Sequence, residues 1–242
     1  MSVVENPAVP SRVLVVTAHP DDVDFGAAGT VAQLVAGGAE VTYCVVTDGD
    51  AGGFDPAVPR ADIPGIRRAE QRAAAEVLGV HDVRFLGYRD GQLTVTHDLR
   101  RDITRVIRQV RPERVLTTSP VRNWERIGSS HPDHMAAAEA TVQAIYPDAR
   151  NQFAHPTLVA DEGLGEWIVP ELWMFGSPTP NTFPDVTDEL PRKLEALRAH
   201  VSQTAHMTDL ADLIVGWMTD AARRGGLPEG RLAEAFHAVR TG

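Results

Sequence analysis

The sequence predicts an α/β protein: a Rossmann-like, mostly parallel sheet with helices on both faces and a metal site at the C-terminal edge of the strands. Three observations predict it. Val13-Leu14-Val15-Val16 and Val41 to Thr47 are apolar runs closed by turn residues, the pattern of strands buried on both faces of a parallel sheet. Stretches of helical period separate such runs through the first two thirds of the chain, and repeated strand-then-helix order gives parallel pairing with right-handed crossovers. The exits of the first and fourth runs carry histidines and aspartates, at the edge where functional loops of such sheets collect.

Taken in order, Val13 to Val16 is the first strand, and Gly26 to Ala36 reads as a closely packed helix ended by Gly37-Gly38. Val41 to Thr47 is the second strand, followed by a long loop through Gly49, Asp50, Gly52 and on to Pro64. Arg67 to Leu78 has helical period and stops at Gly79. Val83 to Leu86 is the third strand, Leu99 to Val110 a helix stopped before Pro112, and Arg114 to Thr118 the fourth strand. An Ala-rich helix runs from Met135 to Ile145. Residues 151–184 carry Pro and Trp with one strand at Glu171 to Phe175; helices are expected at Leu190 to Gln203, Leu210 to Arg223 and Gly230 to Val239. With no repeat or linker to divide it, the chain reads as a single domain over 1–242.

At 242 residues, with 43% hydrophobic and 23% charged side chains, the chain is long enough to bury a real core. Its net charge is −10, and its basic residues come only in scattered pairs such as Arg67-Arg68, Arg100-Arg101 and Arg223-Arg224. That excludes a phosphate track for nucleic acid and an anionic membrane surface, and fits a neutral or weakly charged small substrate. The lone Cys44 lies in an apolar run and leaves neither a disulfide framework nor a thiolate metal cluster. Met1 to Ser11 shows no signal-peptide pattern, and no apolar stretch reaches the roughly 20 residues of a membrane span. A cytoplasmic location is expected. A homo-oligomer is left open.

Thr17-Ala18-His19-Pro20-Asp21-Asp22 leaves the first strand, and Ser129-Ser130-His131-Pro132-Asp133-His134 follows the fourth. Each proline keeps the residue before it out of helical geometry, so these side chains project from a stiff backbone. Capping a helix needs one carboxylate and no imidazole; a His-Pro-Asp-Asp sequence facing a His-Pro-Asp-His sequence asks for more. Two histidines and a carboxylate from His19, Asp22, His131 and His134 make a set suited to zinc or ferrous iron. Three protein ligands leave room for a reacting water. Asp21 is then free as a base, and the spare histidine serves an oxyanion or a leaving group. On spacing alone His131 and His134 are equally good ligands.

These residues resemble the PIG-L/LmbE-like family of zinc-dependent N-deacetylases. The resemblance rests on Ala18-His19-Pro20-Asp21-Asp22 with Asp24, Gly26 and Gly29-Thr30, and on His131-Pro132-Asp133-His134. Gly49-Asp50-Ala51-Gly52, Arg67 to Glu70, Leu86 to Asp90 and Lys193…His200-Val201-Ser202-Gln203 extend it over about residues 12 to 203. It implies that His19, Asp22 and His134 ligate Zn2+ (with Fe2+ as the other divalent metal), that Asp21 is the general base, and that His131 stabilises the oxyanion or moves a proton. Arg67 and Asp90 match substrate-contacting positions. Val23 stands where many members have Glu, with Asp24 one step later. The implied activity is removal of an N-acyl group, in particular acetyl, from an amino sugar such as an N-acetylglucosamine conjugate. The alternatives are an amidase for a larger thiol or sugar conjugate and a non-catalytic sugar-binding relative. His200 and Gln203, one helical turn apart, read either as pocket residues or as a buried pair. Trp124, Trp167 and Trp173 read as core or interface packing ahead of a sugar-stacking wall.

Overall fold

The computed structural model describes residues 9–242; the first eight residues of the N-terminal stretch, in which no signal pattern was found, lie outside it. The first apolar run becomes β1 (Arg12–Thr17), which pairs in parallel with β2 (Glu40–Thr47) on one side and β4 (Arg114–Thr118) on the other. Beyond β2 lies β3 (Asp82–Tyr88), and beyond β4 lies β5 (Glu171–Phe175), both parallel. An antiparallel β6 (Phe236–Arg240) completes the order β3-β2-β1-β4-β5-β6. Cys44 is buried in β2.

The side-chain period of a strand sends β1 into two cores. Val13 and Val15 pack on α1 (Asp22–Ala36) and α2 (Ile63–Leu78), while Leu14 and Val16 pack on α3 (His97–Val110) and α4 (Pro132–Gln143). All four are 0–1% exposed, which is what helices on both faces of a parallel sheet require. α6 (Leu190–Ala199) packs on α1 and α2, and α8 (Leu210–Arg224) joins it in a smaller apolar cluster around Leu197, Ile214 and Met218. No helix among the described residues is long and apolar enough to cross a membrane.

Several boundaries differ from the sequence reading. α1 starts at Asp22 rather than Gly26, because Asp21 takes a left-handed φ of 95° and its carbonyl accepts the Asp24 and Phe25 N–H groups, opening the helix there. Gly26 is instead a packing glycine: a Cβ there would lie 2.3 Å from the Phe175 ring. α2 and α4 start earlier than expected with Pro64 and Pro132 in their first turns, where a missing N–H costs nothing. The helix expected over Leu190 to Gln203 breaks at His200 (φ −82°, ψ 61°), leaving α7 (Val201–Thr204) as a separate turn. Gly230 to Val239 is not a helix: it bridges to residues 182 and 185 and then forms β6 on the open edge of β5. A short α5 (Pro156–Ala160) interrupts the segment that showed no period.

Candidate metal centre

Strand order reverses between β1 and β4: α1, which follows β1, packs on one face of the sheet, and α4, which follows β4, packs on the other. The loops part there and leave a crevice at the carboxyl ends of the strands. His19, Asp21 and Asp22 enter it from β1, and His131 and His134 from the start of α4.

Their donor atoms converge. His134 Nε2 lies 2.9 Å from Asp22 Oδ1 and 3.2 Å from His19 Nδ1, and His19 Nδ1 lies 3.7 Å from Asp22 Oδ2. Ligands ~2.0–2.2 Å from a tetrahedral zinc stand ~3.3–3.6 Å from one another, so small adjustments bring the two ring nitrogens and one Asp22 oxygen around one ion. Two further sets share His19: its ring with those of His131 and His134, and its ring with Asp90 and Asp133.

The two edges of the His19 ring separate these sets. Nε2 faces Asp90 Oδ1 at 3.0 Å and Asp133 Oδ2 at 3.3 Å. Asp133 also accepts the Gly91 and Leu93 N–H groups at 2.6 and 3.2 Å, and Asp90 accepts the Ala51 N–H at 3.2 Å. Carboxylates held this way fix an imidazole by taking its N–H, which turns the Nδ1 lone pair toward Asp22 and His134. His131 differs again. It caps α4, its Nδ1 accepting the Asp133 N–H at 3.2 Å, so in the neutral ring the hydrogen sits on Nε2.

The electrostatics favour a cation. Burial alone would lower the His19 pKa, but Asp133, Asp22 and Asp90 raise it to about 12. Burial would raise Asp22, yet His134 and His19 hold it well below the usual carboxylate range. His131 is lowered, by burial and then by the charges of His19 and His134.

Asp21 stands apart from the donors. Burial pushes its carboxyl up to about 6, against the pull of the Arg67 guanidinium and with a further push from Asp22. Arg67 bonds the Asp21 carboxylate at 2.9 Å and the carbonyls of Pro20 and Gly49 at 2.5 and 3.1 Å. The glycines of the loop leave room for this contact: a Cβ on Gly49, where φ is +63°, would lie 2.2 Å from the guanidinium, and one on Gly52 2.5 Å. Arg67 and Asp90, which the resemblance matches to substrate-contacting positions, both line the crevice, and both already hold atoms of the neighbouring loops.

A buried scaffold that the sequence did not announce lies behind α1. Gln71 accepts the Asp21 N–H at 2.9 Å and donates to Asp24 at 2.9 Å. His200 reaches the same Asp24 oxygen at 2.8 Å and is fully buried, away from the crevice. Lys193 bonds Glu234 at 2.7 Å and the Asp24 and Phe25 carbonyls at 3.0 and 2.8 Å, while Glu234 takes the Gly29 and Thr30 N–H groups. The sequence marked Asp24, Lys193 and His200 only as matched positions, with His200 read as a pocket residue or half of a buried pair; the i, i+4 spacing that puts Arg67 and Gln71 on one face of α2 is the signal that could have found Gln71. Of the tryptophans, Trp173 packs beneath Arg114 and Phe236, Trp167 bonds the Pro112 carbonyl, and Trp124 is 80% exposed. The indole that lines the crevice is Trp217, which the sequence reading placed in an ordinary amphipathic helix. The whole cavity holds ≈ 860 Å³.

Known proteins resemble this chain to different extents. A family model, PIG-L: GlcNAc-PI de-N-acetylase, matches residues 14–145. A diacetylchitobiose deacetylase of Thermococcus kodakarensis is 33% identical over 192 residues, covering 79% of this chain and 70% of that one. A 1D-myo-inositol 2-acetamido-2-deoxy-alpha-D-glucopyranoside deacetylase of Actinosynnema mirum is 31% identical over 240 residues, covering 83% of each. Among solved structures, the N,N'-diacetylchitobiose deacetylase of Pyrococcus horikoshii superposes with a TM-score of 0.87 at 28% identity, covering 95% of this chain and 84% of that one.

Proposed function

Because the chain belongs to the PIG-L family, GlcNAc-PI de-N-acetylase, we propose that it is a zinc-dependent hydrolase that removes the N-acetyl group from an N-acetylglucosamine conjugate. The observation that carries the reading is the convergence of His19 Nδ1, Asp22 and His134 Nε2 within 2.9–3.7 Å, beside a carboxyl group that is not spent on them. The relatives named for acetylated glucosamine conjugates share this lineage.

His19, Asp22 and His134 would hold the metal. Zinc in such a set supplies a Lewis acid and lowers the pKa of water to about 7. Asp21, near neutrality in its acid strength, takes the proton of the attacking water as the new C–O bond forms at the amide carbon. Arg67 keeps that carboxylate aimed while its own donors also fasten Pro20 and Gly49. The Nε2–H of His131, fixed by the Asp133 N–H on the other ring nitrogen, donates to the developing oxyanion. When the C–N bond breaks, the proton held by Asp21 passes to the departing nitrogen, leaving acetate and a free amine. Release of acetate and primary amine from a panel of N-acetylglucosamine conjugates, by zinc-loaded and chelator-stripped protein, tests the reading. Turnover only in the loaded form is expected; loaded protein that hydrolyses none of them contradicts it.

A further inference from the structure

α2 grips the loop after β1 at a single peptide unit. Arg67 donates to the Pro20 carbonyl at 2.5 Å, and Gln71 accepts the Asp21 N–H at 2.9 Å. These are the two polar ends of the Pro20–Asp21 peptide, held by side chains one helical turn apart on α2. Arg67 and Gln71 are both buried. Gln71 has no freedom to turn: its NH2 donates to Asp24 at 2.9 Å, which leaves its oxygen for the Asp21 N–H. His200 holds the same Asp24 oxygen at 2.8 Å. The residue gripped in this way is strained. Asp21 sits at φ 95°, ψ −26°, away from the left-handed basin at φ ~+50 to +70° and ψ ~+30 to +60°. Such a conformation persists where its surroundings over-determine it. Half a turn of the peptide would carry φ from 95° to about −85° at unchanged ψ, inside the right-handed helical region. The Asp21 carbonyl, which opens α1, would stay where it is.

We infer that Gln71 is a positioning residue: it keeps the Pro20–Asp21 peptide from flipping and so holds the Asp21 carboxylate on the attacking water. The inference rests on the deacetylase reading above and adds to it a residue that is not part of the crevice wall. Arg67 cannot do this alone. One nitrogen, Nη2, serves both the Pro20 carbonyl and the Asp21 carboxylate, which ties those two groups together without fixing the N–H. A peptide whose N–H has lost its acceptor keeps half of its anchorage against the pull of an unstrained φ. Misplacing a reacting group by about 1 Å costs on the order of 10²-fold in rate. The effect therefore falls on turnover rather than on binding.

Gln71→Met keeps the length of the side chain and removes its acceptor. In the zinc-loaded full chain acting on N,N'-diacetylchitobiose, kcat should fall roughly 10²-fold, with KM within about twofold and zinc content unchanged. In an Asp21→Asn background the same substitution should cost no more than about twofold, because the group it positions is already gone. An equal loss in both backgrounds marks a merely structural role and overturns the inference, as does an unchanged kcat. A crystal structure of Gln71→Met reads the clamp without turnover: the Asp21 φ should become negative, and a φ still near 95° overturns the inference. If the unaltered protein hydrolyses nothing while the variant's peptide has flipped, the clamp stands and only the deacetylase reading fails. Should Gln71→Met not fold, Gln71→Glu decides, since it keeps an oxygen for the Asp21 N–H and shares one proton with Asp24. Its Asp21 should retain the positive φ and its kcat should stay within about tenfold of the unaltered protein; a relaxed φ, or a loss as large as that of Asp21→Asn, overturns the inference.

Discussion

Asp133 shows how a residue outside the donor set governs it. Its carboxylate is held by two backbone N–H groups and takes the Nε2 edge of His19. Asp133→Asn keeps the shape but removes the charge that fixes the ring, so zinc affinity should fall roughly 10–100-fold, read by competition with a chromophoric chelator. Unchanged affinity would mean that Asp90 alone orients His19. The proposed donors stood out in the sequence because their chemistry is local: histidines and aspartates packed around a proline at a strand exit. Asp133 sat in the same motif, but its task depends on His19, 114 positions away. Gln71 gave no signal for the same reason, since it acts on Asp24 across 47 positions, whereas His200, read as a pocket residue or half of a buried pair, is buried against Asp24 across 176 positions.

Among the elements, α1 opens at the site with Asp22 and is clamped from behind by chain that arrives last. Lys193 in α6 and Glu234 before β6 are 1% and 4% exposed and satisfy each other. Lys193→Met should therefore destabilise the protein by about 3–5 kcal/mol by stranding the buried Glu234 carboxylate. The double variant with Glu234→Gln should cost less than Lys193→Met alone, both read by urea denaturation; equal losses would show that the charge is not the cause. The same clamp explains why the C-terminal strand was misread. Leu232, Ala233, Ala235 and Phe236 have a pattern that suits a helix, but Glu234 is drawn to α1 and β5 offers an unpaired edge. β1 and β2 were legible because strands buried on both faces read as near-continuous apolar runs closed by turn residues.

On the scale of the molecule, the sheet places its strand-order reversal where the two His-Pro-Asp loops meet, so the fold itself positions the site. An ion bound there and not in the unfolded chain stabilises the native state by mass action, by about 2.7 kcal/mol at a hundred times its Kd. The melting temperature should rise with zinc and fall with chelator, and His134→Ala should abolish the response. A melting temperature indifferent to zinc in the unaltered protein would argue against a site at this crevice. The alternation of strands and helices gave the sheet away in advance; the cavity did not show, because its far wall is α8, whose apolar spacing reads as core.

The central claim is a division of labour: three side chains hold the metal, and Asp21 and His131 do proton chemistry beside it. Zinc content measured together with steady-state amide hydrolysis for Asp21→Asn, His131→Ala and His134→Ala tests it most directly. The account predicts that the first two retain zinc while losing roughly 10²–10⁴-fold in rate, and that the third loses both metal and activity. Zinc-free His131→Ala protein alongside zinc-replete His134→Ala would exchange the two histidines' roles, and an Asp21→Asn protein that hydrolyses the amide at the unaltered rate would contradict the account.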